Sequence, residues 1–182
     1  MKALILVFAA VFILNNAGAQ KKNSIIFNSY NSLGFVAGKS PIAFTAQTEN
    51  GIVFKNWFFG AGVGIDEYYI KTIPLFGSVK KIIPLKSNSI FLYANAGGNI
   101  ITGDKTQKKI YSTLFTKGGF YGDAGLGYKI KTGKKSNAFF SIGNTIKTIT
   151  ETENMFDIWG MGGVYFARHN LSRVSLKLGY QF

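Results

Sequence analysis

The chain has no cysteine, three prolines and one histidine among 182 residues, and eight acidic side chains against 21 lysines and arginines. Without cysteine there is no disulfide framework, no thiolate metal site and no cysteine nucleophile. The acylated cysteine of a lipoprotein anchor is excluded as well. One histidine and scattered acids lack metal-ligand spacing, so no metal or other cofactor is expected. Past the first twenty residues no apolar run reaches the length of a membrane-spanning helix. What is abundant is glycine (22), phenylalanine (17) and tyrosine (9), set in short apolar pieces between Asn, Ser and Lys. That composition suits an all-β chain rich in turns.

The formal charge of +13 suggests nucleic acid, an anionic membrane surface or acidic sugars as partners. No block of Lys and Arg stands out, and the first residues argue against nucleic acid. Lys2 opens a positive stretch, Ala3 to Leu14 is continuously apolar, and Asn15 and Asn16 break it. Ala17-Gly18-Ala19 is a small-x-small cleavage site before Gln20. This is the layout of a secretory signal peptide. The expectation is a cleaved leader over 1–19 and one domain over 20–182.

The remainder alternates between strand and turn signals. Eight strands are predicted: Ser24–Ala37, Ile42–Thr48, Ile52–Ile65, Ile73–Ile82, Ser89–Ile101, Lys117–Lys131, Asn137–Ile149 and Arg173–Phe182. Glu49-Asn50-Gly51 reads as a tight hairpin, because Asn-Gly supplies the positive φ such turns need. Phe156 to Phe166 is placed either in a strand extension or in the last loop.

Alternation separates two faces. Val174, Leu176, Leu178, Tyr180 and Phe182 share one face of the last strand, with Ser175, Lys177, Gly179 and Gln181 on the other. Phe120, Ala124, Leu126, Tyr128 and Ile130 oppose Asp123, Gly125, Gly127 and Lys129 in the same way. Polar and small residues in mid-strand point to a polar lumen with the apolar band turned toward lipid. Backbone groups in lipid must all be paired, so such strands close on themselves. The fold expected is all-β, a closed antiparallel transmembrane β-barrel of about eight strands.

The last nine residues resemble the C-terminal assembly signal of outer-membrane barrels, carried by Val174, Leu176, Leu178, Tyr180 and Phe182. The chain as a whole is similar to small eight-stranded barrels of the OmpA/OmpX kind and to the outer-membrane β-barrel proteins of the Bacteroidetes. The carrying segments are Asn50-Gly51, Gly60-Ala61-Gly62-Val63-Gly64, Ile73-Pro74-Leu75-Phe76 and Phe91-Leu92-Tyr93-Ala94-Asn95-Ala96-Gly97. The resemblance implies a place in the outer membrane, with outer-membrane lipids and the barrel-assembly machinery as partners. It implies no peptidoglycan-binding domain and no assigned chemistry.

Candidate sites are few. His169 could serve an acyl-transfer nucleophile with Ser172 and Asp157, as an outer-membrane lipid-modifying enzyme would require, but no motif joins them. Gly60-x-Gly62-x-Gly64 lacks the dinucleotide spacing and reads as strand packing. Asp66, Asp123, Lys129, Lys147 and Lys177 are expected to meet as a salt-bridged plug, since a barrel this small is filled by side chains. Tyr68, Tyr69 and Trp159 are expected in external loops, where the rings either pack against the loop and the interface or meet an unidentified partner. Lys80, Lys134 and Lys135 are among the lysines placed at or near a basic rim, which either faces anionic headgroups or is simply solvated turn charge. The expectation is a non-enzymatic protein with a structural or surface-interaction role. Two further readings are compatible with the same period: a secreted lipocalin-like barrel binding an apolar ligand inside, and a narrow channel.

Overall fold

The computed structural model describes residues 25–38, 41–102, 106–108, 112–133, 136–155 and 163–182. The leader reading for 1–19 therefore lies outside the described residues, as do Lys134, Lys135, Asp157 and Trp159. Nine strands follow one another: β1 (Ile26–Ala37), β2 (Ala43–Phe54), β3 (Trp57–Asp66), β4 (Thr72–Pro84), β5 (Ser89–Ile101), β6 (Thr106–Lys108), β7 (Ser112–Lys131), β8 (Asn137–Met155) and β9 (Gly163–Gln181). All pairings are antiparallel, in the order β5-β4-β3-β2-β1-β9-β8-β7-β6, with β5 paired in addition to β7. Every strand except the three-residue β6 is thus hydrogen-bonded on both sides. The sheet curls about its own inner face.

Strict alternation produces this arrangement. Along β9, Arg173, Ser175, Lys177 and Gln181 are buried, while Val174, Leu176, Leu178 and Tyr180 are exposed. The inner face carries the polar and charged residues that the sequence places there, and it holds large aromatic rings as well. Tyr30, Phe58, Phe91, Tyr93 and Phe139 form an aromatic cluster there. Its room comes from glycine: a Cβ on Gly127 would collide with the Phe91 ring, and one on Gly179 with the Phe139 ring.

The hairpin expected at Glu49-Asn50-Gly51 is absent. β2 runs straight through it, with Gly51 paired to Asn28 and Gly60. Gly51 has a packing reason, because a Cβ there would strike the Phe59 carbonyl oxygen. The chain turns instead at Lys55-Asn56, where Lys55 takes a left-handed φ of 56°. β4 begins one residue early and ends two late, β7 begins at Ser112, and β8 and β9 extend to Met155 and back to Gly163.

The expected closed transmembrane barrel of about eight strands is corrected to this nine-stranded antiparallel sheet. An exposed apolar face records that an apolar contact is unfilled. It does not identify the contact as a bilayer, and no described strand is established as a membrane span. Among the described residues no helix is long and apolar enough to cross a membrane, a statement that does not concern strands.

Candidate functional site

Among the described residues, alternation on eight long strands brings eight buried charged side chains onto the inner face: Lys80, Lys129, Lys147, Arg173 and Lys177, with Glu49, Asp66 and Asp123. Three ion pairs result. Lys80 Nζ lies 2.8 Å from Glu49, which also accepts from the Ser78 hydroxyl. Lys147 Nζ lies 2.5 Å from Asp66. Lys177 bonds Asp123 directly and donates to Gln47 Oε1 at 2.8 Å. Asp123 accepts further hydrogen bonds from Thr145 and Ser175 at 3.2 and 3.3 Å.

Burial sets the electrostatics. It pushes the Lys80 ammonium down, against the attraction of Glu49. Ring faces also attract the Lys80 ammonium, with Tyr30 and Tyr93 centroids 4.9 and 5.3 Å away. Burial likewise raises the Asp66 carboxyl and lowers Lys147, each opposed by the other's charge. Lys129 is lowered to about 8, by burial first and by Lys80 second.

Of the residues expected to form one plug, Asp123 and Lys177 meet, and Lys147 meets Asp66. Lys129 joins none of these carboxylates; it donates to the Tyr30 hydroxyl at 3.0 Å and to Gln181 Oε1 at 3.5 Å. Glu49 and Lys80 escape the sequence reading, which puts one in a turn and the other at a rim. Their strand parity is the available signal: Phe76, Ser78 and Lys80 share a face, as do Thr45, Gln47 and Glu49.

His169 Nε2 stands 3.0 Å from Glu151, whose other oxygen accepts from the Tyr69 hydroxyl at 2.8 Å. Ser172 lies on the opposite face of β9 and donates to Asn144. The nucleophile arrangement considered for His169 and Ser172 is therefore not formed. Tyr68, for which loop packing and partner binding are both open from sequence, is buried beneath Lys147 and Arg173, whose charged groups lie 4.2 and 4.7 Å from its centroid, and offers no ring to a partner. A lipocalin-like apolar interior is also overturned, since the inner face carries the ion pairs.

The outer face is the reverse. One cross-strand row runs Ile90, Tyr128, Phe140, Leu178, Leu33, Ala46 and Ile65, each directly opposite the next. A second runs Leu92, Leu126, Ile142, Leu176, Phe35 and Phe44. Leu33 and Leu178 are 60% and 69% exposed, far above ordinary sheet residues with a covered face. Over β8, β9, β1, β2 and β3 these rows border an open apolar groove of about 1340 Å³. The five residues of the expected assembly signal, Val174, Leu176, Leu178, Tyr180 and Phe182, all point outward and are exposed.

Comparison with known proteins finds no family model and no curated protein that matches the chain. The resemblance to OmpA/OmpX-like and Bacteroidetes outer-membrane barrels accordingly does not stand. Neither do the outer-membrane location and the lipid and assembly-machinery partners drawn from it. The described residues form an all-β antiparallel sheet with a charged inner face and an apolar outer one.

Proposed function

We propose that the protein is a non-catalytic binding protein whose working surface is the apolar outer face over β8, β9, β1, β2 and β3. Its ligands are amphiphiles with extended acyl chains. The leader reading of 1–19 adds export to this proposal. The carrying observation is the in-register row Phe140, Leu178, Leu33, Ala46 and Ile65, which lines up apolar side chains across five strands. Burying one Leu contributes about 1.5–3 kcal/mol, so a few such contacts give a flexible chain useful affinity. Among the described residues the inner face shows a cavity of about 10 Å³ beside Ser32, Lys80 and Lys177.

The test is equilibrium binding of dodecyl maltoside, followed by displacement of a fluorescent apolar dye. Wild type and Leu33→Asp/Leu178→Asp are compared after both pass circular dichroism for β structure. The double variant is expected to bind at least tenfold more weakly, because two charges then sit directly opposite each other in the groove. Equal binding by both folded proteins would sink the proposal.

A further inference from the structure

We infer that the chain pairs with a second copy of itself through the open edge of β9, strand against strand and antiparallel about a two-fold axis at Ala167. β9 has two neighbours over only part of its length. β8 runs beside it from Gly163 to Gln181, whereas β1 reaches no further than Ala37, opposite Val174. Among the described residues no backbone group pairs with the remaining edge, from Gly163 to Leu171.

The far end of the strand tells which backbone groups that edge offers. Phe182 exchanges both of its main-chain bonds with Ser29 of β1. The β8–β9 register is unbroken from Gly163 to Gln181, so the period of two carries through. Even-numbered residues therefore turn N–H and C=O to the open side: Val164, Phe166, Arg168 and Asn170. A row of unpaired groups of this kind is a template for another strand. Proline, bulges and charge keep such edges single, and this one has no proline and no bulge. Its fully charged side chain is Arg168, and Val164 and Phe166 beside it are 59% and 69% exposed.

Register decides whether a second copy fits. Centred on Arg168, two guanidinium groups stand directly opposite each other, which is unfavourable. Centred on Phe166, Asn170 falls opposite position 162, before the strand begins. Centred on Ala167, Phe166 faces Arg168 of the second copy, twice by symmetry, and Val164 faces Asn170. All four open residues then find strand partners, and each guanidinium lies beside an aromatic ring rather than a like charge. Ala167, the smallest side chain in the segment after glycine, stands at the axis. The contact is isologous, so it closes at two copies instead of growing into a fibre.

The experiment is sedimentation of the full chain in dodecyl maltoside, which keeps the outer face covered, with a monomer–dimer equilibrium expected. Phe166→Lys alters one exposed side chain and sets lysine opposite arginine at two places. Its dissociation constant is expected to rise roughly tenfold or more. The chain has no cysteine, so an introduced one reports position directly. Across the open edge the odd-numbered residues form the close, non-hydrogen-bonded pairs, with Cα atoms about 4.5 Å apart, within disulfide reach. Ala167→Cys is expected to link to its own copy under mild oxidation. Tyr165→Cys is expected not to link alone, and to link when mixed with His169→Cys. A wild type that sediments as a monomer at every concentration overturns the inference. So does a dimer that Phe166→Lys leaves unchanged, or self-linking as fast in Tyr165→Cys as in Ala167→Cys.

Discussion

Lys147 and Lys129 project onto the same inner face from β8 and β7, at opposite ends of the sheet. Lys147 is wholly buried, and its ammonium meets four oxygens: Asp66 Oδ1 at 2.5 Å, Thr72 Oγ1 at 2.8 Å, and the carbonyls of Tyr68 and Ile70 at 3.1 Å. Lys129 is nearly as buried and has only neutral oxygens. The same side chain is a structural rivet at one end and an uncompensated charge at the other. What differs is the segment opposite. Residues 66–72 fold back over Lys147 and present a carboxylate, a hydroxyl and two carbonyls. Lys129 faces Tyr30 and the end of β9, which supply no carboxylate.

Cutting the rivet gives the largest effect. Asp66→Ala is expected to cost about 3–5 kcal/mol in urea unfolding, since it leaves Lys147 buried and uncompensated. Asp66→Ala/Lys147→Met is expected to recover more than half of that loss. If Asp66→Ala costs less than about 1 kcal/mol, the range of an exposed pair, the two ends are energetically alike and the contrast fails.

At the other end the expected sign is reversed. The Lys129 value in the folded chain, about 8, lies below the ordinary 10.5. Between those values the unfolded chain binds more protons than the folded one, so stability rises as pH increases. The rise is at most about 3 kcal/mol. It is checked by urea midpoints from pH 7 to pH 10. Above pH 10 the buried Tyr30 and Tyr93 act the other way, because burial raises them and ionisation then favours unfolding. Lys129→Met is expected to flatten the slope between pH 8 and 10 and to stabilise at pH 7. An unchanged slope in that variant would locate the linkage elsewhere.

This contrast is half legible in the sequence. Period-two alternation places Asp123, Lys129, Lys147 and Lys177 on the polar side of their strands, and the structure has them on the inner face. Pairing across the interior is another matter. Asp66 and Lys147 are 81 residues apart, and nothing local to either specifies the other. The inner aromatic cluster is hidden for a related reason. Phe58, Phe91 and Phe139 stand beside outward-facing neighbours, so they read as part of an apolar run; Gly60 admits the Phe58 ring from the same strand, while the glycines that admit the Phe91 and Phe139 rings, Gly127 and Gly179, lie on other strands. Asn50-Gly51 misleads because turn chemistry is local, whereas the close approach of Phe59 to Gly51 depends on strand register. The apolar outer rows are readable, but alternation cannot say what lies against them.

The smallest effect tests whether the segment over Lys147 is held by that lysine or also from outside. Tyr69 sits at the centre of a γ-turn, with a left-handed φ of 64° and the Ile70 amide donating to the Tyr68 carbonyl at 2.8 Å. Such turns are strained and persist only when their surroundings hold them. Two clamps are present. Lys147 grips both flanking carbonyls from within, and the Tyr69 hydroxyl donates to Glu151 near the rim, its ring 5.3 Å from His169. Tyr69→Phe removes only the outer hydrogen bond, in a half-exposed setting, and is expected to cost about 1 kcal/mol or less. Hydrogen exchange at the Ile70 amide is the sharper readout. If Lys147 is the dominant clamp, protection there barely changes in Tyr69→Phe and collapses in Asp66→Ala. Equal loss in both variants would give the rim an equal share in holding the turn.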